Sequence, residues 1–204
     1  MKTKIILVLL LALTYMKANA KTNDSTAYNA GKIILSVGYG FPSIEKSLYG
    51  QHVDLGIDMS FSKSGYGPFH FRGEYGLTNK IGIGISINYD TYSGMLKESG
   101  FNTNTITSLT GLMRFNYHFA TTKKLDPYFA VGAGFRSTTN TFTSTNPQNS
   151  FADDYNNWVG DYTPYPFAFE AVAGMRYYFT PHIGIYSEIG IAKSIIQFGV
   201  SVGF

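Results

Sequence analysis

The sequence predicts an all-β protein, an eight-stranded antiparallel up-and-down barrel that spans a membrane. Apolar and polar residues alternate with period two in one segment after another, which is the pattern of a strand with two different faces. Charged residues make up only 14% of the chain and aromatics 16%, with 16 Tyr and 16 Phe. An average soluble domain carries about 25% charged residues. Beyond the N-terminal leader, no apolar run approaches the roughly 20 residues that a membrane helix needs. A membrane crossing must then be made by strands.

The leader is residues 1–20. Lys2 and Lys4 begin it, Ile5 to Leu13 form a short apolar stretch, and Ala18-Asn19-Ala20 closes it with small residues. That order is an export signal with a cleavage site, and its apolar part is too short for a bilayer. The expected organisation is therefore a signal peptide over 1–20, a disordered lead-in over 21–30 and a barrel over 31–204. Of the 16 Lys and Arg residues, three lie in the leader, which leaves 13 against 13 acidic residues. A mature chain with no net charge gives no reason to expect nucleic acid as a partner. There is no Cys, so disulfides and thiolate chemistry are excluded.

Eight segments follow from the alternation: Lys32–Phe41, Pro68–Leu77, Lys80–Asp90, Ile106–Phe119, Pro127–Arg136, Pro166–Phe179, Ile183–Ala192 and Ile195–Phe204. Most reach the 9–11 residues or so that a tilted membrane strand requires. The third is the clearest, with Ile81, Ile83, Ile85, Ile87 and Tyr89 alternating with Gly82, Gly84, Ser86 and Asn88. Thr78-Asn79, Ala120 to Asp126 and Thr180-Pro181-His182 make short joins, and Pro42 to Gly67, Thr91 to Thr105 and Ser137 to Tyr165 make long ones. Lys193-Ser194 is a short exception among the long. Short turns on one rim and long loops on the other suit an outer-membrane barrel. Ser137 to Ser150, rich in Ser, Thr and Asn, reads as a mobile surface loop.

Parity separates the two faces. Ile33, Leu35, Val37, Tyr39, Phe69, Phe71, Tyr75, Leu109, Met113, Phe115, Tyr117, Phe129, Val131 and Phe135 share the apolar side. Arg72, Glu74, Arg114, Arg136, Glu170, Arg176 and Glu188 take the other. An Arg or Lys facing lipid near the bilayer midplane costs about 2–4 kcal/mol, so a membrane barrel turns its charges inward. A soluble barrel would do the reverse. Those seven residues are the expected lumenal charge network, paired across a closed interior and leaving no porin-like pore. Glycines such as Gly38, Gly132 and Gly174 make room for them.

Gly67-Pro68-Phe69 through Glu74-Tyr75-Gly76, Thr78-Asn79-Lys80 with Ile81-Gly82-Ile83-Gly84, and Arg114 through Phe119 resemble the outer-membrane β-barrel domain family common in Bacteroidetes. Asp126-Pro127-Tyr128, Val131 through Gly134 and the terminal Phe204 extend this likeness to a porin-like superfamily of small barrels over most of the mature chain. The resemblance implies an eight-stranded barrel in the cell outer membrane. It also implies that Phe198, Val200, Val202 and Phe204 form a signal read by the barrel-assembly machinery. It says little about activity, because one fold hosts many functions.

Chemistry is sparse. The Gly-x-Gly runs at Gly82/Gly84 and Gly132/Gly134 lie inside strands, where no phosphate loop forms. His52, His70, His118 and His182 lack metal-ligand spacing, and the inward parity of His70 and His118 points to hydrogen bonding in the lumen. Asp153, Asp154, Tyr155, Trp158, Asp161 and Tyr162 form a candidate contact patch in the longest loop, for a partner or a cation. Ser47 and His52 are weak support for a rim enzyme, and neither an enzyme nor a cofactor is expected. The expected role is structural or surface-interacting, through the long loops of a monomer surrounded by outer-membrane lipid. A narrow conduit or binding barrel for small or apolar solutes is the alternative.

Overall fold

A strand in lipid must bond every backbone N–H and C=O to another strand, so a sheet there closes on itself. The computed structural model, which describes residues 26–44, 64–96, 102–144 and 166–204, is such a closed sheet. Its strands are β1 (Ile33–Ser43), β2 (Ser64–Gly76), β3 (Ile81–Leu96), β4 (Asn102–His118), β5 (Leu125–Ser144), β6 (Phe167–Tyr178), β7 (Ile183–Ile191) and β8 (Ser194–Gly203). Each pairs antiparallel with its sequence neighbours, and β1 closes the ring against β8. Leu35 pairs with Val202 and Val37 with Val200 across that seam. Ile33 and Phe204 exchange both backbone hydrogen bonds, at 3.0 and 2.8 Å.

Parity decides the burial of side chains throughout. On β7 exposed Ile183, Ile185 and Ile189 alternate with buried Gly184, Tyr186 and Glu188. Met113 is 76% exposed while its neighbour Arg114 is 4% exposed, an inversion that suits lipid outside and polar packing within. Rings gather at both ends of the apolar band. Phe119 stacks on Phe129 at 4.9 Å near the short turns, and Tyr39 meets Phe69 edge-on at 5.5 Å toward the other rim. Such girdles sit at the headgroup levels.

Three expectations change. The strands run further beyond the upper girdle than alternation of apolar residues indicated. β3 continues to Leu96, β4 starts at Asn102, and β5 continues to Ser144, so Ser137 to Ser144 is strand and not loop. Thr91 meets Thr107 at 3.2 Å and Ser93 meets Thr105 at 2.9 Å, hydroxyl to hydroxyl. β-branched Thr favours strand, and above the bilayer neither face needs to be apolar. The second change is at the short upper join, where Lys193 and Ser194 turn inward and are buried. Ile195 and Ile196 are then both exposed before Gln197 is buried, a local break in alternation. The third concerns the lead-in. Its described part, residues 26–30, folds under the barrel, with Ala27 and Tyr28 buried and the Ala27 N–H bonded to Thr122 O at 2.7 Å.

A charge on the lipid face should stop this closure, while one beyond the girdle should not. Val200→Arg is expected to cost about 2–4 kcal/mol and to remove most heat-modifiable folded barrel on a gel. Thr141→Arg, exposed on the upper part of β5, should stay within about 0.5 kcal/mol of the parent.

Candidate functional site

Eight strands enclose a space that side chains can fill, and here they fill it with charge. Glu188 stands midway along β7. Its carboxylate pairs with Arg72, Oε2 lying 2.9 Å from Nη2, and accepts hydrogen bonds from Arg114 Nη2 at 2.8 Å and from the Tyr128 hydroxyl at 2.6 Å. Arg114 also places Nε 3.1 Å from Glu170 Oε1. Arg72 donates to Gln197 and lies 5.1 Å from the centre of the Tyr186 ring. Six strands are tied together here through groups that water scarcely reaches.

A second cluster closes the short-turn end. Arg176 bonds Glu74 and, at 3.1 Å, Asp126 Oδ2. His118 lies between the same two carboxylates, 2.7 Å from each. Tyr28 from the N-terminal segment stacks on His118 with ring centres 3.4 Å apart and planes 8° from parallel. Burial, with Glu74 nearby, pushes the Tyr28 phenol above its usual range, so it stays neutral. Arg176 packs over Tyr128 at 4.3 Å, which joins this cluster to the one around Glu188.

Nearer the long-loop end, Lys193 Nζ is 2.8 Å from Asp90 Oδ1 and donates to Ser108 Oγ at 2.6 Å. His70 bridges Asn88 at 2.7 Å and Ser194 at 3.2 Å. The room for these side chains comes from inward glycines. A Cβ on Gly174 would stand 2.5 Å from the Tyr128 ring and 2.8 Å from Glu188 Cγ.

All seven charges read as lumenal face inward. Arg72, Glu188, Arg114 and Glu170 meet in one cluster, and Glu74 meets Arg176 in the other. Arg136 lies higher and half-buried, cross-strand from Thr110. Sequence reasoning missed Asp126, Asp90, Lys193, Gln197 and Tyr28. The first two share parity with Tyr128 and Asn88, so the signal was there, hidden by their place at segment ends. Lys193 sits in a turn and Tyr28 before the first strand, where no periodicity marks a direction. Phe198 and Val200 face outward on β8, and Phe204 completes the β1 seam. The patch of Asp153, Asp154, Tyr155, Trp158, Asp161 and Tyr162 lies outside the described residues, as do Ser47 and His52. Among the described residues no group of three or more His, Asp or Glu is arranged to hold a metal.

Residues 5–204 match the family described as outer membrane protein beta-barrel domain. Comparison with curated proteins gave no match. Among solved structures, the chain is similar to Ail, the attachment invasion locus protein of Yersinia pestis, solved with the heparin analogue sucrose octasulfate. The identity is 14% and the TM-score 0.48, over 86% of this chain and 99% of that one. Outer membrane protein W of E. coli is similar at 13% identity and TM-score 0.48, with 86% and 99% covered. OprG from Pseudomonas aeruginosa is similar at 11% and 0.42, with 87% and 97% covered.

Breaking the central pairing should be costly because it strands buried charge. Removing one partner of a buried pair typically costs about 3–5 kcal/mol, and Glu188→Gln is expected to lower unfolding stability in lipid vesicles by that much. Lys123→Gln, exposed on the short-turn rim, should change it by less than about 0.5 kcal/mol. Urea titration of both variants makes the comparison.

Proposed function

The chain belongs to the outer membrane protein β-barrel domain family, and from that premise we propose a structural and surface-interacting barrel whose lumen is closed to bulk solutes. One observation carries the reading: Arg72, Arg114, Glu170, Glu188, Arg176 and Glu74 are each 5% exposed or less and bridge opposite walls of the lumen. Opening a passage would separate these pairs and leave charge without a partner in a low-dielectric interior. The work of such a barrel is then done outside the bilayer. β3, β4 and β5, at 16, 17 and 20 residues, exceed the 9–11 or so that cross the membrane. Their upper parts form a Thr-rich wall that would carry the long loops and the 153–162 patch toward a surface partner.

Cleavage after Ala20, recognition of Phe204 by the assembly machinery, a monomeric state and a place among Bacteroidetes-type members belong to the same proposal. A second reading rests on a separate observation. Ile106, Leu112 and Phe142 are buried on the long-loop side of Arg114, an apolar lining that suits a small apolar solute held above the charge clusters.

Planar-bilayer recording of the purified barrel separates a closed lumen from an open one. Silence or rare small openings are expected. Stable porin-sized conductance would contradict the proposal.

A further inference from the structure

The four strands that leave the short-turn rim begin alike, a basic residue followed by an aliphatic one: Lys32-Ile33, Lys80-Ile81, Lys124-Leu125 and His182-Ile183. Lys123 precedes the third pair. Two of these basic residues are engaged within the fold. Lys32 Nζ donates to Ala27 O at 2.6 Å and lies over the Tyr178 ring, and His182 Nδ1 is 2.9 Å from Gly203 O. Lys80, Lys123 and Lys124 are exposed.

The acids are distributed in the opposite way. Every described acidic residue, Glu74, Asp90, Asp126, Glu170 and Glu188, is buried. In the sequence, the long connections 45–63, 97–101 and 145–165 hold seven acids (Glu45, Asp54, Asp58, Glu98, Asp153, Asp154 and Asp161) against three lysines (Lys46, Lys63 and Lys97). Among the described residues, the short-turn end thus exposes basic side chains and no acidic one.

That basic end lies at headgroup level. Exposed Tyr75, Tyr117, Phe129 and Tyr177 stand in the girdle just above it, and aromatic girdles mark the interface. A Lys at this depth extends its flexible stem and places its ammonium among phosphates. Beside Lys80 is a recess of about 580 Å³, lined also by Thr26, Asn29, Asn79 and Thr121, groups that can donate to phosphate oxygens.

We propose that the short-turn rim is a docking surface for acidic phospholipid headgroups of the facing leaflet, with Lys80, Lys123 and Lys124 engaging their phosphates. Basic clusters beside a membrane attract anionic lipid, and the attraction falls with salt. The contact would fix the depth and orientation of the barrel, independently of whether its lumen conducts.

The test uses the full mature chain refolded into phosphatidylcholine vesicles doped with phosphatidylglycerol. Spin-labelled lipids report which headgroup the barrel retains at its surface. A several-fold preference for phosphatidylglycerol over phosphatidylcholine is expected, falling as salt rises. The triple variant Lys80→Gln, Lys123→Gln, Lys124→Gln should lose most of it while keeping heat-modifiable migration, and the corresponding triple Arg variant should keep it. The salt titration needs only the parent protein and decides the matter even if the Gln variant fails to fold. Equal retention of both lipids by the parent, a preference insensitive to salt, or an unchanged preference in the folded Gln variant would overturn the proposal. Lysine-dependent co-sedimentation with purified peptidoglycan, without any lipid preference, would also overturn it and assign the rim to the cell wall.

Discussion

Glu188 accepts hydrogen bonds from Arg114 and Tyr128 and pairs with Arg72, and this one carboxylate fixes how the interior can be built. Its three partners come from β2, β4 and β5, so the ring cannot flatten without breaking an ion pair or a charge-assisted bond. Such bonds are stronger than neutral ones, and the surrounding interior offers no water in bulk to replace them. Other features follow from the need to satisfy these charges. Glycines such as Gly174 are required opposite the large side chains. Arg114 needs Glu170 for its remaining positive field, and Arg176 needs both Glu74 and Asp126. Tyr28 then seals the short-turn end by stacking on His118.

Lipid explains why these charges are inside at all. The outer face carries Met113, Phe169 and Ile191 at more than 70% exposure, which an aqueous protein would not tolerate over its whole circumference. Backbone closure and side-chain inversion therefore have a common origin in the solvent around the barrel. Beyond the girdles that constraint ends. The upper parts of β3 to β5 are polar on their outward side, with Thr91, Thr107 and Thr139 in one cross-strand row. Sequence is freer there to serve a partner, and the same freedom leaves the exposed lysines at the opposite rim.

Much of this architecture is legible in the residues because a two-sided environment imposes a two-sided pattern. Ile81 through Tyr89 reveal a strand and its direction of burial in nine residues. The inward face of Arg114 and Glu170 is equally plain, since any other orientation puts charge in lipid. The pattern fades where the bilayer stops. Thr139 to Ser144 are strand, yet their composition is that of a loop, and backbone pairing with β4 decides the matter. Lys193 is buried through a turn geometry that no alternation encodes. Partner choice inside the lumen is not encoded by parity either. Parity puts Arg72 and Glu188 on the same inner face, but only the stagger of closed strands brings Arg72 Nη2 within 2.9 Å of Glu188 Oε2.

The central claim is that paired charge inside the lumen holds the walls together, and a double-mutant cycle on Arg114 and Glu188 measures it. Arg114→Ala, Glu188→Ala and the double variant are unfolded by urea in the same vesicles as the parent. Contacting residues in one network show interaction energies of about 0.5–3 kcal/mol, and a coupling in the upper half of that range is expected here. Additive effects, with coupling near zero, would show that the two side chains fill space without holding the barrel closed.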